Sequence, residues 1–371
     1  MELDKNPNPI KDQHFMTDET IINKICDISE VKPGDNVVEI GGGAGALTKH
    51  LASIGALITV IEKDTYYASY LKDMFKNNPN VTVIEGDALN FNYDDYNKIV
   101  ANMPYSITES FLFKLVNSKA VDFDKATLIL PHGTIRKMLA PLSSGEFGLT
   151  SLISKVFFDL EVMGEVPREA FYPEPSVNSY IVNLRPKRDF STINRLLSNM
   201  LLQGDIPIKV AFRNVINKED IYKTSKNRFS STNIASVFFS DNKIGNKKFS
   251  QLGIGDTTKL VEDAIKFDIY VKEKTRRETQ ERDYRQVDWS IYLNRGNTRI
   301  SDIDDYDDKD DDENQYNNLL TSHQKRGVKE KLLRQYEYFY YNPLYEVFEN
   351  RHPEEKEYLG IKLNDSIKPR K

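Results

Sequence analysis

Cysteine is almost absent from this sequence, since Cys26 is the single one among 371 residues. A chain with one cysteine has no internal disulfide, and it lacks the thiolate cluster that holds many structural zinc ions. Cys26 falls on the apolar side of a helix-like segment, so we expect a buried packing residue. The histidines show no metal-ligand spacing either, and we therefore expect no metal site.

Long apolar runs and an excess of positive charge are also missing. No window reaches the roughly 18 apolar residues that a membrane-spanning helix requires, and the first residues are polar. We therefore expect an intracellular, cytoplasmic protein that does not contact a membrane. The chain has 51 Lys and Arg against 56 Asp and Glu, a net charge of -5. Nucleic-acid-binding proteins are usually basic, at least locally, so this balance argues against a large RNA-binding surface.

What the chain does have, between about residues 13 and 188, is an alternation of strand-like and helix-like segments. Short apolar runs such as 37–40, 57–61 and 98–101 are separated by amphipathic segments such as 46–54. This alternation predicts an α/β fold in which a mostly parallel sheet is covered on both faces. Ligands of such sheets bind at the carboxyl ends of the strands.

The composition divides the chain into three parts. Residues 1–188 form the predicted α/β domain, and residues 189–268 are predicted to form a small helical domain. Residues 269–371 are a polar extension, which includes an acidic run at 302–313 and a basic, tyrosine-rich segment at 324–350. An acidic run of this kind is typical of a disordered linker. The extension either packs back on the protein or binds a protein or nucleic-acid partner.

A glycine-rich turn follows the first predicted strand of the sheet. Gly41, Gly43 and Gly45 end the strand and open a helix, and glycine permits positive φ and close approach of a ligand. A dinucleotide site would want a third glycine where Ala46 stands, and no Lys-Ser/Thr pair follows as in a phosphate-binding loop. The pattern favours S-adenosylmethionine over NAD, although a tight turn without a ligand remains an alternative.

Two carboxylates follow the next strands at positions that suit this cofactor. Glu62 lies 21 residues after Gly41, at the end of the second predicted strand, where it can accept hydrogen bonds from both ribose hydroxyls. Asp87 follows the third strand and can accept a bond from the adenine amino group of the cofactor. The alternatives are an exposed glutamate at position 62 and a turn or helix cap at position 87.

The segment Asn102-Met103-Pro104-Tyr105 ends the fourth predicted strand and predicts the chemistry. An adenine amino group is a poor nucleophile, because its lone pair is delocalised into the ring. The Asn102 side-chain oxygen and a backbone carbonyl next to Pro104 can accept hydrogen bonds from its two N–H groups. Tyr105 offers an aromatic face on which the base can stack. Catalysis would then depend on positioning and preorganised dipoles. A strand-ending turn with a packed tyrosine is the alternative.

Six segments, in this order and spacing, resemble the rRNA adenine N6-dimethyltransferases, a family that includes the small-subunit dimethylases, the macrolide-resistance methylases and the mitochondrial transcription factor B proteins. The resemblance covers about half of the chain. The matching segments are QHFMTD at 13–18, VEIGGGAGALT at 38–48, VIEKD at 60–64, EGDAL at 85–89, ANMPYSI at 101–107 and FYPEPSVNS at 171–179.

The resemblance implies a Rossmann-like S-adenosylmethionine-dependent methyltransferase with a small helical C-terminal domain. It implies that a flipped, unpaired adenine of RNA, in rRNA or a ribosomal precursor, receives one or two methyl groups. It further assigns cofactor contacts to His14, Met16, Gly41, Glu62, Asp87 and Asn102. It places Phe15, Tyr105 and Phe171 around the target adenine.

The chain also departs from the family. Many members have Asn at the position of His14, so a structural role for His14 stays open. Of the basic cluster in the second domain, Lys209 and Arg213 remain as candidate RNA contacts in an otherwise apolar run. Two other functions stay open as well: a non-catalytic nucleic-acid-binding, assembly or transcription factor that retained the fold, and a methyltransferase of a protein or small-molecule amine.

Overall fold

The structure is a computed structural model that describes residues 8, 13–117, 123–188, 191–218 and 244–279, with backbone alone from 269 onward. The predicted acidic run and tyrosine-rich segment of the C-terminal extension lie outside the described residues.

A seven-stranded sheet forms the centre of the fold, with the strand order β4-β3-β2-β5-β6-β9-β7. The first five strands are parallel, whereas β9 runs antiparallel to both β6 and β7. A separate two-stranded sheet pairs β1 with β8. The strands are β1 Phe15–Met16, β2 Asn36–Ile40, β3 Leu57–Glu62, β4 Val81–Glu85, β5 Lys98–Asn102, β6 Lys125–Pro131, β7 Phe158–Val166, β8 Phe171–Tyr172 and β9 Ser179–Pro186. The predicted α/β fold with a mostly parallel sheet is confirmed.

Helices cover both faces of this sheet. Because side chains alternate along a strand, Val37 of β2 faces one layer of helices and Val38 faces the other. The first layer contains α1–α3 and the second contains the later helices. The helices are α1 Glu19–Ser29, α2 Ala46–Ser53, α3 Thr65–Met74, α4 Thr108–Asn117, α5 His132–Leu139, α6 Leu149–Phe157, α7 Thr192–Leu201, α8 Ile208–Lys218 and α9 Ile254–Thr279.

Cys26 is buried in the first helical layer, as the sequence predicted. Burial is the main cause that raises the pKa of its thiol to about 12. A thiol with such a pKa stays protonated at neutral pH and acts as a small apolar side chain.

The last three helices pack on the same core as the sheet. Buried residues of α7, α8 and α9, such as Leu196, Phe212 and Leu260, belong to one apolar cluster with Phe158 and Val182. Helix α9 runs through the predicted boundary at residues 268 and 269, and the division into domains stays a prediction. No helix in the described ranges is long and apolar enough to span a bilayer.

Candidate active site

The glycine-rich loop joins β2 to α2 at the carboxyl end of the sheet. Gly41 has φ 72° and Gly43 has φ 50°, conformations that favour glycine. A Cβ added to Gly41 would project toward the turn after β5, 3.9 Å from the carbonyl oxygen of Asn102 and from the Pro104 ring. The glycine loop therefore lies beside the Asn102–Pro104 turn, at a distance that one Cβ would bridge by ordinary van der Waals contact.

Gly42, to which the sequence assigned no role, is the most tightly packed residue of this loop. A Cβ at position 42 would lie 2.4 Å from Val60 and 2.8 Å from Leu71, both of which are buried. The close approach lets the loop settle onto β3 and α3. The absence of a side chain at Gly42 therefore allows the loop to pack directly against Val60 and Leu71.

Glu62 ends β3 beside the loop and is only 8% exposed. One carboxylate oxygen accepts a 3.0 Å bond from the backbone N–H of Gly43, and the other accepts a 2.8 Å bond from that of Asp64. Burial raises the pKa of this carboxyl, and the backbone N–H groups oppose that shift. Each oxygen keeps a second lone pair, so the carboxylate can still accept hydrogen bonds from two hydroxyl groups.

Asp87 lies just after β4, at the neighbouring strand end. Its carboxylate accepts a 2.9 Å bond from the N–H of Leu89 and a 2.7 Å bond from the ammonium of Lys63. The Lys63 bond is the main cause that lowers the pKa of Asp87. Asp87 therefore caps the short helical turn Ala88–Asn90, which was the alternative reading, and it still presents an ionised carboxylate beside Glu62.

Asn102 is the last residue of β5 and its side chain has a defined orientation. The amide nitrogen donates a 2.9 Å hydrogen bond to the carbonyl oxygen of His14. Because that bond orients the nitrogen toward the N-terminal segment, the side-chain oxygen is the atom that can accept a hydrogen bond from a ligand. The carbonyl of Pro104 accepts from Ile107 and Thr108, which leaves the carbonyl of Met103 as the second candidate acceptor.

Tyr105 begins the short 3₁₀ turn Tyr105–Ile107 directly after this strand end. Its ring lies 6.2 Å from the His14 ring, with 20° between the two planes. The Nδ1 of His14 donates a 2.7 Å bond to the carbonyl of Pro173. His14 is thus fixed by its ring and by its backbone, and it supports both Tyr105 and Asn102.

The small β1–β8 sheet brings the N-terminal segment over the carboxyl end of the large sheet. Met16 lies opposite Phe171, and both are buried. The Phe15 ring lies over the glycine loop, because a Cβ on Gly43 would come within 2.8 Å of it, and it packs edge-on against Tyr67 at 4.9 Å. The structure therefore places Phe15 on the glycine-loop side of the cleft.

Lys209 and Arg213 lie apart from these strand ends, on α8, a helix that packs against α7. The Lys209 ammonium donates to the side chain of Asn246. The Nε of Arg213 is buried and has no hydrogen-bond partner among the described residues. Their role as RNA contacts stays a prediction.

Glu39, in the middle of β2, is a buried acid to which the sequence analysis gave no role. It is 1% exposed, and its Oε2 has no partner among the described residues. Burial raises its pKa to about 8 despite the nearby Thr48 hydroxyl, and the charge of Glu62 acts in the same direction as burial. An acidic residue within an otherwise apolar central strand was the signal in the sequence.

We predict that Glu39→Gln reduces the pH dependence of stability. An unfolded glutamate has a pKa near 4.5, so the folded protein binds this proton more tightly than the unfolded chain does. The wild-type free energy of unfolding should therefore fall between about pH 4.5 and pH 8, by a few kcal/mol on the order of the shift. Urea unfolding from pH 5 to 9 measures this, with Glu161→Gln, an exposed glutamate on β7, as the control. Equal pH profiles for Glu39→Gln and the wild type would contradict the prediction.

The described residues contain no group of three or more His, Cys, Asp or Glu side chains placed to hold a metal ion. The residues that converge at the carboxyl ends of β2 to β5 are a positive-φ glycine loop, two carboxylates, an oriented carboxamide and an aromatic ring. Such a set can bind a ligand with several hydroxyl and amino donors and present two acceptors to a second, planar group.

Comparison with known proteins identifies the family to which this chain is similar. The profile described as "Ribosomal RNA adenine dimethylase" matches residues 5–233, more than half of the chain. A ribosomal RNA small subunit methyltransferase A of Chlorobium limicola is 35% identical over 180 residues, 47% of this chain and 67% of the relative. A probable ribosomal RNA small subunit methyltransferase A of Pyrococcus abyssi is 32% identical over 197 residues, 53% of this chain and 72% of the relative.

A solved structure, that of a dimethyladenosine transferase from Plasmodium falciparum, is also similar. It shares 25% identity and a TM-score of 0.46, over 67% of this chain and 96% of that one. The matched profile and the two relatives confirm the resemblance found in the sequence, and the chain belongs to the ribosomal RNA adenine dimethylase family.

Proposed function

We propose that this protein is an S-adenosylmethionine-dependent N6-adenine dimethyltransferase that acts on RNA, and specifically on ribosomal RNA. Family membership supports the reaction class. The observation that carries the proposal is the orientation of Asn102. Its amide nitrogen is held by the His14 carbonyl at 2.9 Å, so its oxygen is preorganised as an acceptor beside the glycine loop.

The strand ends fit S-adenosylmethionine. The positive φ of Gly41 brings its backbone beside the Asn102–Pro104 turn, and Glu62 supplies a buried carboxylate whose remaining lone pairs can accept further hydrogen bonds. We assign Glu62 to the ribose hydroxyls, Asp87 to the adenine amino group, and the backbone of Gly41 and Gly43 to the methionine part. His14, Met16 and Asn102 complete the contacts. The cofactor, when bound, supplies a methyl group attached to a positively charged sulfur. The positive charge makes the methyl carbon a good electrophile.

The residues around Asn102 are proposed to prepare the target amine. The Asn102 oxygen accepts one N–H of the adenine amino group, and the Met103 carbonyl, which precedes Pro104, accepts the other. These two acceptors draw the nitrogen toward tetrahedral geometry. In that geometry the lone pair is localised on the nitrogen instead of being delocalised into the ring. Fixed acceptors in a desolvated cleft need no reorganisation during the reaction.

Aromatic residues are proposed to hold the base. Tyr105 offers a ring for stacking, and Phe171, a buried residue of β8 that pairs with Met16 of β1, supports the wall of the pocket. Phe15 lies on the glycine-loop side, so its contact with the adenine would be at the edge nearest the cofactor. Stacking on an aromatic ring typically contributes about 1–3 kcal/mol per base.

RNA binding outside the pocket is proposed to involve Lys209 and Arg213 on α8. The net charge of -5 argues against an extensive phosphate-binding surface. The C-terminal extension beyond residue 279 is therefore a candidate for further contacts with RNA or with a protein partner. A cytoplasmic location would bring the enzyme to its ribosomal substrate.

The proposal is tested by incubating the protein with tritiated S-adenosylmethionine and, separately, total RNA, ribosomal subunit precursors, DNA and protein fractions. We expect label in ribosomal RNA, which should release N6-methyladenosine or N6,N6-dimethyladenosine on digestion. Label in the protein fraction alone would support amine methylation of another substrate class. Absence of label from every fraction would support the non-catalytic alternative and overturn the proposal.

A further inference from the structure

A hydrogen-bonded pair of hydroxyls, from the partly buried Tyr105 and the buried Ser179, lies behind the proposed target pocket. The Tyr105 hydroxyl and the Ser179 hydroxyl are 2.6 Å apart, and Ser179 is 0% exposed. A separation of 2.6 Å is that of a good O–H···O hydrogen bond. The bond joins the turn after β5 to the beginning of β9, two segments that are 74 residues apart in the sequence.

Ser179 is a rigid anchor because both of its neighbours in the sheet are fixed. As the first residue of β9, it pairs with Pro131 of β6 on one side and with Val166 of β7 on the other. The preceding residue, Asn178, is held as well: its carbonyl accepts from the N–H of His132, and its amide nitrogen donates to Glu165 at 2.7 Å.

Tyr105, by contrast, belongs to a single 3₁₀ turn, an element with few constraints of its own. The backbone fixes the position of the Tyr105 Cβ, whereas side-chain contacts set the tilt of the ring. The His14 ring, 6.2 Å away, lies along one face, and the Ser179 hydroxyl holds the far end of the phenol. These two contacts act on different parts of the ring.

We propose that Ser179 is a positioning residue for methyl transfer, which acts through Tyr105 by fixing the tilt of the ring on which the target adenine stacks. This inference rests on the proposed function. A stacked base follows the plane of the ring, so a change of tilt moves the amino nitrogen away from the acceptors at Asn102 and Met103. Misplacement of a reacting atom by about 1 Å can cost up to about 100-fold in rate.

The test is a double-mutant cycle with Ser179→Ala and Tyr105→Phe. Each variant removes one hydroxyl and keeps the ring. We expect each to lower kcat by about fivefold to tenfold, the loss expected when one hydrogen bond is removed, with cofactor affinity unchanged by calorimetry. The double variant should be no slower than either single variant, because both substitutions break the same bond. Multiplied effects in the double variant would show that Ser179 acts independently of Tyr105 and would overturn the proposal.

Ser154→Ala is the matched control. Ser154 is also buried, but its hydroxyl bonds within α6 to the Thr150 carbonyl at 2.8 Å. It should retain wild-type kcat.

A second measurement does not depend on activity. In protein labelled at the tyrosine ζ carbon, the Tyr105 signal, identified by its loss in Tyr105→Phe, should shift in Ser179→Ala and stay unchanged in Ser154→Ala. An unshifted signal would overturn the proposed bond even if methylation is observed. A shifted signal without any methylation in the wild type would retain the bond and refute the proposed function instead.

Discussion

Replacing Asn102 with alanine should reduce methyl transfer at least about 100-fold to 1,000-fold, the loss typical of removing one preorganised polar group from an active site. The substitution removes the side-chain oxygen proposed to accept an N–H of the target. It also removes the bond to the His14 carbonyl, so the N-terminal segment loses one attachment. Single-turnover transfer from labelled S-adenosylmethionine to ribosomal RNA measures the chemical step.

The matched control is Asn97→Ala. Asn97 precedes the same strand at its amino end, where its side chain bonds to Asp35 and to the N–H of Asn36. This variant loses a comparable amide, but position 97 lies at the opposite end of the strand from the proposed site. The folded variant should therefore retain the wild-type rate. Asn102→Asp keeps an acceptor oxygen but cannot donate to His14, and we expect an intermediate rate. Near-normal turnover by Asn102→Ala would refute the assigned chemistry.

Replacing Glu62 with alanine should weaken S-adenosylmethionine binding by about 10-fold to 100-fold, because the two proposed hydrogen bonds from the ribose hydroxyls are lost. There is a second cause. The Glu62 carboxylate also accepts from the N–H of Gly43 at 3.0 Å, so the glycine loop loses its attachment to β3. Isothermal titration calorimetry with S-adenosylhomocysteine or the cofactor itself measures the change.

Glu85→Ala provides the comparison for Glu62. Glu85 lies directly opposite Glu62 in the pairing of β3 with β4, but it is exposed and its carboxylate accepts from the Thr65 hydroxyl. Its loss should change cofactor affinity by less than about threefold, since it serves a helix start on the surface. If Glu62→Ala and Glu85→Ala bind the cofactor as tightly as the wild type, Glu62 does not belong to the site.

Strand pattern and motif order were sufficient to predict which side chains converge. Gly41, Glu62, Asp87 and Asn102 each follow an apolar run, and parallel strands place their carboxyl ends along one edge. The structure brings these four residues together there. The sequence did not reveal that the helix carrying Ile254–Thr279 crosses the boundary predicted at residue 268, because composition reports the change in polarity and not the continuity of a helix.

The amino-acid sequence alone determined the α/β fold, the family and the chemical groups available at the cleft, because these depend on local periodicity and on short motifs. Tertiary structure decided how those groups are oriented. The His14 carbonyl that orients Asn102 is 88 residues away from it, and the Ser179 hydroxyl that holds Tyr105 is 74 residues away. Such contacts depend on the order of strands in the sheet and on the β1–β8 pair, which no local pattern specifies.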